Sequence, residues 1–212
     1  AERLAWIIGM AERYEVSAIG VSSGGIIDPR TGSCWAAKEY LMPNQIGIEF
    51  SERTLGKPTF AHGDGHATAW AHACLPEFAG KRVATLALGT GVGCGFVQEG
   101  RIWAGRKGEY PRINDLSTVT GATFETLLGG LNLGPDANEY QKSTAKEAFR
   151  NAVFVIENLY FPDVIVVGGS VGLSDWMRDE VAAAGAIPSP FGIDAGLYGA
   201  AALVLFPSGV GE

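Results

Sequence analysis

Residues 84–97 read Ala84-Thr-Leu-Ala-Leu-Gly-Thr-Gly-Val-Gly-Cys-Gly-Phe-Val97, an apolar run that enters alternating glycines and leaves as a second apolar run. Such a turn can wrap a phosphate, because glycine has no Cβ to hold an anion away from the backbone N–H groups, and Thr90 adds a hydroxyl donor. Two further junctions share the pattern. Gly63-Asp64-Gly65-His66-Ala67 sets a carboxylate between glycines at a strand end, and Val164-Ile-Val-Val-Gly168-Gly169-Ser170 ends a wholly apolar run in a diglycine. Together they point to a nucleotide cleft. Each also has a plain structural reading: the glycines tighten strand–helix packing, and Asp64 caps a helix starting at Ala67.

The elements that must carry these junctions alternate between strand and helix, which places the chain in the α/β class. Leu4, Ile7, Ile8, Ala11 and Tyr14 recur at helical spacing. Residues 16–21 read as a strand, 22–25 as a turn, 26–27 as a short extension and 28–32 as a reverse turn. Residues 57–61 feed the Asp64 junction, and Pro76 stops a helix over 67–75. A hairpin over 83–97 surrounds the glycine turn, with a further strand at 101–103. Thr144 and Glu147 form a capping-box pattern ahead of a helix whose apolar face carries Phe149, Ala152, Val153, Ile156 and Leu159. Residues 164–167 read as a strand buried on both faces. Asp194 caps a last helix over 195–206 that is apolar all round and therefore interior.

Composition narrows the partners. The 212 residues are 47% hydrophobic and 18% charged, as expected for a folded globular chain with a sizeable core, and the net charge of −7 disfavours nucleic acid or an anionic membrane. A small molecule is the expected ligand. Cys34, Cys74 and Cys94 are odd in number and unpaired in spacing, which gives neither a disulfide framework nor a zinc knuckle and fits a reducing cytoplasm. No apolar run approaches the ~20 residues that span a bilayer, and the first residues lack the pattern of a signal peptide. His62, His66 and His72 invite a metal reading. The glycines around Asp64 argue against a helix that would put His62 and His66 on one face, so no metal ligand is assigned; His66 begins the helix and His72 lies on its surface.

Taken in order, seven segments resemble the ROK family of bacterial sugar kinases and sugar-sensing repressors. They are Ala18-Ile-Gly-Val-Ser-Ser-Gly-Gly-Ile-Ile-Asp28, Pro43-Asn44, Gly63-Asp-Gly-His-Ala-Thr-Ala69, Leu88-Gly-Thr-Gly-Val-Gly-Cys-Gly-Phe-Val97, Gly108-Glu109, Val164-Ile-Val-Val-Gly-Gly-Ser-Val-Gly-Leu173 and Asp194-Ala-Gly-Leu-Tyr-Gly-Ala-Ala-Ala202. Within the family, Ala67-Thr-Ala-Trp-Ala71 and Val167-Gly-Gly-Ser-Val-Gly-Leu173 look most like N-acetylmannosamine kinases. The resemblance implies an actin-like ATPase fold of two RNase H-like lobes, here with an incomplete N-lobe of residues 1–62 and 194–212 and a C-lobe of residues 63–193. It implies Asp64 as general base toward a sugar 6-hydroxyl, and Asn44, Gly63, Glu109 and Glu125 at the sugar. Gly89, Thr90 and Gly91 would hold the ATP phosphates, and Gly168 with Gly169 the adenosine. Asn44 also reads as a turn residue and Glu125 as a solvated helix position. With few Lys or Arg near the cleft, Mg²⁺ must neutralise much of the triphosphate, and a cytoplasmic homodimer is implied.

The resemblance has gaps. The family's Asp-x-Gly-Gly-Thr phosphate loop has no counterpart, Gly63 replaces an asparagine, and the Glu-x-Gly-His motif survives only as Glu109-Tyr-Pro-Arg112, where arginine cannot ligate zinc. The cysteine-rich zinc loop is replaced by residues 113–123, which hold no cysteine. A chain lacking segments of a longer polypeptide is expected, with breaks at the shortened connections around 46–50, 109–120 and 176–187. The expected function is ATP-dependent phosphorylation of a hexose, N-acetylmannosamine or a related hexosamine. The alternative is a sugar-binding regulator without catalysis.

Overall fold

A computed structural model describes residues 2–134 and 136–207. Along the chain, α1 (Glu2–Arg13) leads into β1 (Ile19–Ser23), the hairpin of β2 (Ile26–Asp28) and β3 (Ser33–Ala36), the single turn α2 (Glu52–Leu55) and β4 (Thr59–Gly63). Without an intervening loop β4 becomes α3 (Asp64–Ala73), which is followed by β5 (Val83–Leu88), β6 (Val92–Gln98) and β7 (Arg101–Ile102). Then come α4 (Phe124–Leu128), α5 (Glu139–Tyr160), β8 (Val164–Gly168), α6 (Gly169–Gly172), α7 (Arg178–Ala183), β9 (Ile187–Pro188) and α8 (Ala195–Leu205).

Five strands form the larger sheet in the order β7-β6-β5-β8-β9, antiparallel from β7 to β5 and parallel from β5 to β9. β5 and β8 are central, and all five residues of β8 are buried, as a parallel strand covered on both faces requires. One face packs on α5 through Phe149, Ala152 and Ile156; the other packs on α3 and α8 through Ala67, Trp70 and Leu203. A second, smaller unit pairs β1 with β4 in parallel and β2 with β3 antiparallel around Val21, Ile27, Cys34 and Phe50.

Helix α3 joins the two units because glycines let it come close to its neighbours. A Cβ on Gly65 would overlap the Cys94 carbonyl of β6, and one on Gly95 would overlap the Gly65 carbonyl, so the first turn of α3 lies directly on β6. On its other side a Cβ on Gly199 of α8 would sit 2.6 Å from the Ala67 carbonyl carbon. These approaches fix where the first turn of α3 stands.

Several expectations need correction. α3 begins at Asp64, with Gly63 as its N-cap, so Asp64 is inside the helix rather than capping one that starts at Ala67. Its burial between β6 and α8 outweighs the low helix propensity of Gly65. The capping box of α5 is Asn138 with Gln141, six residues before the Thr144 pattern, and Leu159 is exposed on the solvent side of that helix. Tyr14 lies beyond the end of α1. Asp194 makes no side-chain cap bond, and α8 is not interior: it buries Ala195, Gly199, Ala202 and Leu203 while Leu197, Tyr198 and Leu205 face solvent. Close packing of α8 on α3 and β1 uses its small residues, which leaves the large ones outside. His72 is fully buried, its Nδ1 2.7 Å from the Thr68 carbonyl and its Nε2 2.9 Å from the Ser189 hydroxyl. Local backbone hydrogen bonds run through the three shortened connections, among them Ile48 N–H to Gln45, Thr118 N–H to Ala122 and Ala186 N–H to Val181.

Candidate functional site

A cavity of about 540 Å³ opens between the two units. Asp64, the glycine turn at Gly89, Thr90 and Gly91, the diglycine Gly168-Gly169 and Glu125 all line it, so the three strand–glycine junctions meet in one place. Each gets there by a short route. β4 ends in α3, β5 ends in the turn, and β8 ends in α6, so the C-terminal ends of three strands face the same space.

Asp64 stands on the first turn of α3, where the helix dipole favours an anion, and its Oδ1 accepts the Gly65 N–H at 2.8 Å. Its side chain is exposed and lines the cavity. Loss of bulk water there pushes its carboxyl above the ordinary carboxylate value and the charge of Glu125 adds to the rise, although the Gly65 N–H pulls the other way. A carboxylate raised in this manner suits proton acceptance. Gly93 of β6 passes below it: a Cβ there would be 3.8 Å from Asp64 Oδ1.

In the turn, the Gly89 N–H is used on the Gly91 carbonyl at 3.0 Å. Among the described residues no backbone carbonyl takes the N–H groups of Thr90 or Gly91. The outer side of the turn is held by Gly130 N–H to the Gly89 carbonyl at 2.7 Å and Leu131 N–H to the Thr90 carbonyl at 2.9 Å. Gly169 has φ of +81°, and a Cβ on it would sit 2.7 Å from the Gly89 nitrogen, so only glycine lets β8 and the turn stand side by side.

Glu125 is buried rather than solvated. Its Oε2 accepts from Asn114 Nδ2 at 3.0 Å and the Val92 N–H at 3.2 Å, and lies 3.2 Å from Lys38 Nζ. Its Oε1 lies over the turn, where a Cβ on Gly91 would come within 2.5 Å. The other expected sugar residues do not line the cavity. Asn44 is an exposed turn residue with φ of +60° whose N–H donates to Glu39. The buried amide of that stretch is its neighbour Gln45, tied to Ser23 at 2.7 Å and Arg3 at 2.6 Å. Glu109 turns back on its own loop and accepts the Lys107 N–H at 2.7 Å. Gly63 is buried at the end of β4, paired with Ser23. In their place the cavity is lined by Lys38, from the loop after β3, and by Tyr110, Arg112 and Asn114, from the loop after β7; of these only Arg112, at the end of Glu109-Tyr-Pro-Arg112, is marked in the sequence.

Zinc does not fit this loop. Arg112 forms an ion pair with Asp115, and residues 113–123 offer neither cysteine nor histidine. The nearby His62 and His66 are buried edge to face at 5.5 Å with no hydrogen-bond partner on any ring nitrogen among the described residues, and burial lowers their pKa values to about 4 and about 3. Among the described residues no group of three or more His, Cys, Asp or Glu is placed to hold a metal ion.

The model of the ROK family matches residues 3–113, more than half of the chain. The chain belongs to the ROK family. A curated relative, the bifunctional enzyme NanE/NanK of Brucella melitensis, is 23% identical over 235 aligned positions that cover 90% of this chain and 43% of that protein. The chain thus spans under half the length of that relative. Among solved structures, a ROK family protein from Streptococcus pneumoniae in complex with sucrose superposes with a TM-score of 0.79 at 18% identity, covering 98% of this chain and 86% of the other. A ROK family glucokinase from Streptomyces griseus in complex with glucose and AMPPNP gives a TM-score of 0.72 at 19% identity over 94% and 85%. The ROK fold of these neighbours is the actin-like ATPase fold, and the five-stranded sheet and its junctions follow it.

Proposed function

We propose that the protein is an ATP-dependent kinase acting on the 6-hydroxyl of a hexose, N-acetylmannosamine or a related hexosamine, with Asp64 as general base. The observation that carries this reading is one cavity bounded by the Asp64 carboxylate, the unused N–H groups of Thr90 and Gly91, and the anchored Glu125. Family membership and the ROK family glucokinase among the solved neighbours support phosphoryl transfer, and the choice of an N-acylated sugar rests on the resemblance carried by residues 67–71 and 167–173.

In this reading Glu125 holds acceptor hydroxyls, Asp64 aims the reacting hydroxyl and accepts its proton late, and the glycine turn holds the phosphates. Phosphoryl transfer passes through a loose transition state, so aim and charge stabilisation do most of the work. Gly168 and Gly169 leave room for adenosine against backbone. Mg²⁺ would come with the triphosphate and spread its negative charge, since Lys38 and Arg112, the basic residues of the cavity, are engaged by carboxylates. Asn44, Gly63 and Glu109 reach a sugar only if the two units close further. Those units are residues 1–62 with 194–212 and residues 63–193, with residues 1 and 208–212 lying outside the described structure. The homodimer and the cytoplasmic setting rest on the family resemblance; among the described residues no helix is long and apolar enough to cross a membrane.

A coupled assay of ADP release across a panel of hexoses tests the reading. N-acetylmannosamine or a close relative is expected to stimulate ADP release. Sugar binding without ATP binding would favour a regulator, and absence of both would end the proposal.

A further inference from the structure

Lys38 follows β3, in the smaller unit, yet its side chain crosses the cavity mouth. Its Nζ lies 2.8 Å from Asp115 Oδ1 and 3.2 Å from Glu125 Oε2, both in the segment that follows β7. Asp115 also pairs with Arg112, so two cations and two carboxylates form one balanced cluster. The backbone after Lys38 is a tight turn, with the Leu41 and Met42 N–H groups both donating to the Lys38 carbonyl at 2.9 Å. Leu41 and Met42 line the cavity, and Leu41 Cδ1 is 3.4 Å from where a Cβ on Gly91 would stand. This turn therefore covers the glycine turn, and Lys38 is the charged tie that holds it there.

We propose that Lys38 is a positioning residue that latches the 38–42 turn across the cavity and orients Glu125 toward the acceptor sugar. The Glu125 carboxylate has three donors on Oε2, from a strand backbone, an asparagine and the lysine, and this leaves Oε1 directed over the glycine turn. Asn114 and Val92 belong to the same unit as Glu125; only Lys38 comes from the other, so only Lys38 couples the carboxylate's orientation to the closeness of the two units. The latch is held by charge: burial alone would lower the lysine, but Asp115 and Glu125 outweigh it and keep the ammonium charged. The inference rests on Glu125 as the acceptor-binding carboxylate.

Two measurements on the whole chain test it. Carbodiimide activation followed by peptide mass spectrometry should join Lys38 to Asp115 or Glu125 through an amide, a result that needs no knowledge of the substrate. Calorimetry with the best hexose and with an ATP analogue should then show Lys38→Met weakening hexose binding by about tenfold or more, the scale of a charge-assisted hydrogen bond. ATP-analogue affinity should stay within about twofold. Lys38→Arg should restore most of the loss, which a merely structural defect would not show, and Asp115→Asn serves as a second variant if Lys38→Met folds poorly. Absence of any Lys38 cross-link, or hexose affinity unmoved in both variants, overturns the latch. A wild-type protein that forms the cross-link but binds no hexose overturns the kinase reading and leaves the latch standing.

Discussion

The junction at the end of β4 and the junction at the end of β8 are built alike: a parallel strand runs straight into a helix, and both helices open on the same cavity. Their contents differ. β4 delivers a carboxylate on a helix of ten residues, locked between β6 and α8, whereas β8 delivers two glycines and a helix of four. One junction supplies a reactive group held rigidly, and the other supplies empty space held rigidly. A strand-to-helix step can therefore serve chemistry in two ways, by what its first helical residue carries or by what it leaves out.

The largest way to break this contrast is Asp64→Asn. Turnover should fall by about 10²–10⁴-fold, the usual contribution of a positioned base. Thermal stability should hold or rise, because the amide removes a charge that stands close to the Glu125 carboxylate and whose pKa the fold raises. The wild-type rate should also drop on acidification at a pH above the ordinary carboxylate value of 3.8, since the base works only when deprotonated, and a pH profile of kcat/KM locates that limb.

Next in size is the pair of histidines flanking Asp64. Unfolded imidazoles take up protons near 6.5, while in the fold His62 does so only at about 4 and His66 at about 3, so stability should decline as the pH falls from 6.5 toward these values. His62 alone accounts for roughly 3 kcal/mol by pH 4. Denaturation at a series of pH values measures it, and His62→Leu should flatten its share. A stability independent of pH over this range would contradict the burial of both rings. Smallest is Gly169→Ala, where a side chain must adopt positive φ against the Leu88 carbonyl. A loss of about 1–3 kcal/mol in chemical denaturation is expected, with weaker ATP-analogue binding.

What could be read from residues alone followed from local pattern. The apolar runs at 83–88 and 164–168 announce strands, and glycines immediately after them announce the turns, because both signals lie within a few neighbouring positions. The apolar spacing of Phe149, Ala152 and Ile156 likewise marks the buried face of α5. Where α3 begins was not legible, because Gly65 is a poor helix former and is kept helical by Cys94 of β6, far along the chain. Burial of His72 depends on Ser189, more than a hundred residues away, and the role of Lys38 depends on Asp115 and Glu125. Glu109 and Asn44 illustrate the reverse: each matches a motif, but each side of the loop that carries it is occupied by its own backbone or a neighbour.

The clamping of α3 has a mechanical consequence. With Gly65 and Gly95 in mutual contact below it and Gly199 pressed on Ala67 above, the helix cannot slide on either neighbour without backbone collision. Because β4 runs straight into α3 and Gly20 of β1 meets the Ala200 carbonyl of α8 at backbone distance, the same contacts tie the β1–β4 pair to the five-stranded sheet. The position of Asp64 is thus set by backbone collisions on three sides rather than by its own side-chain bonds.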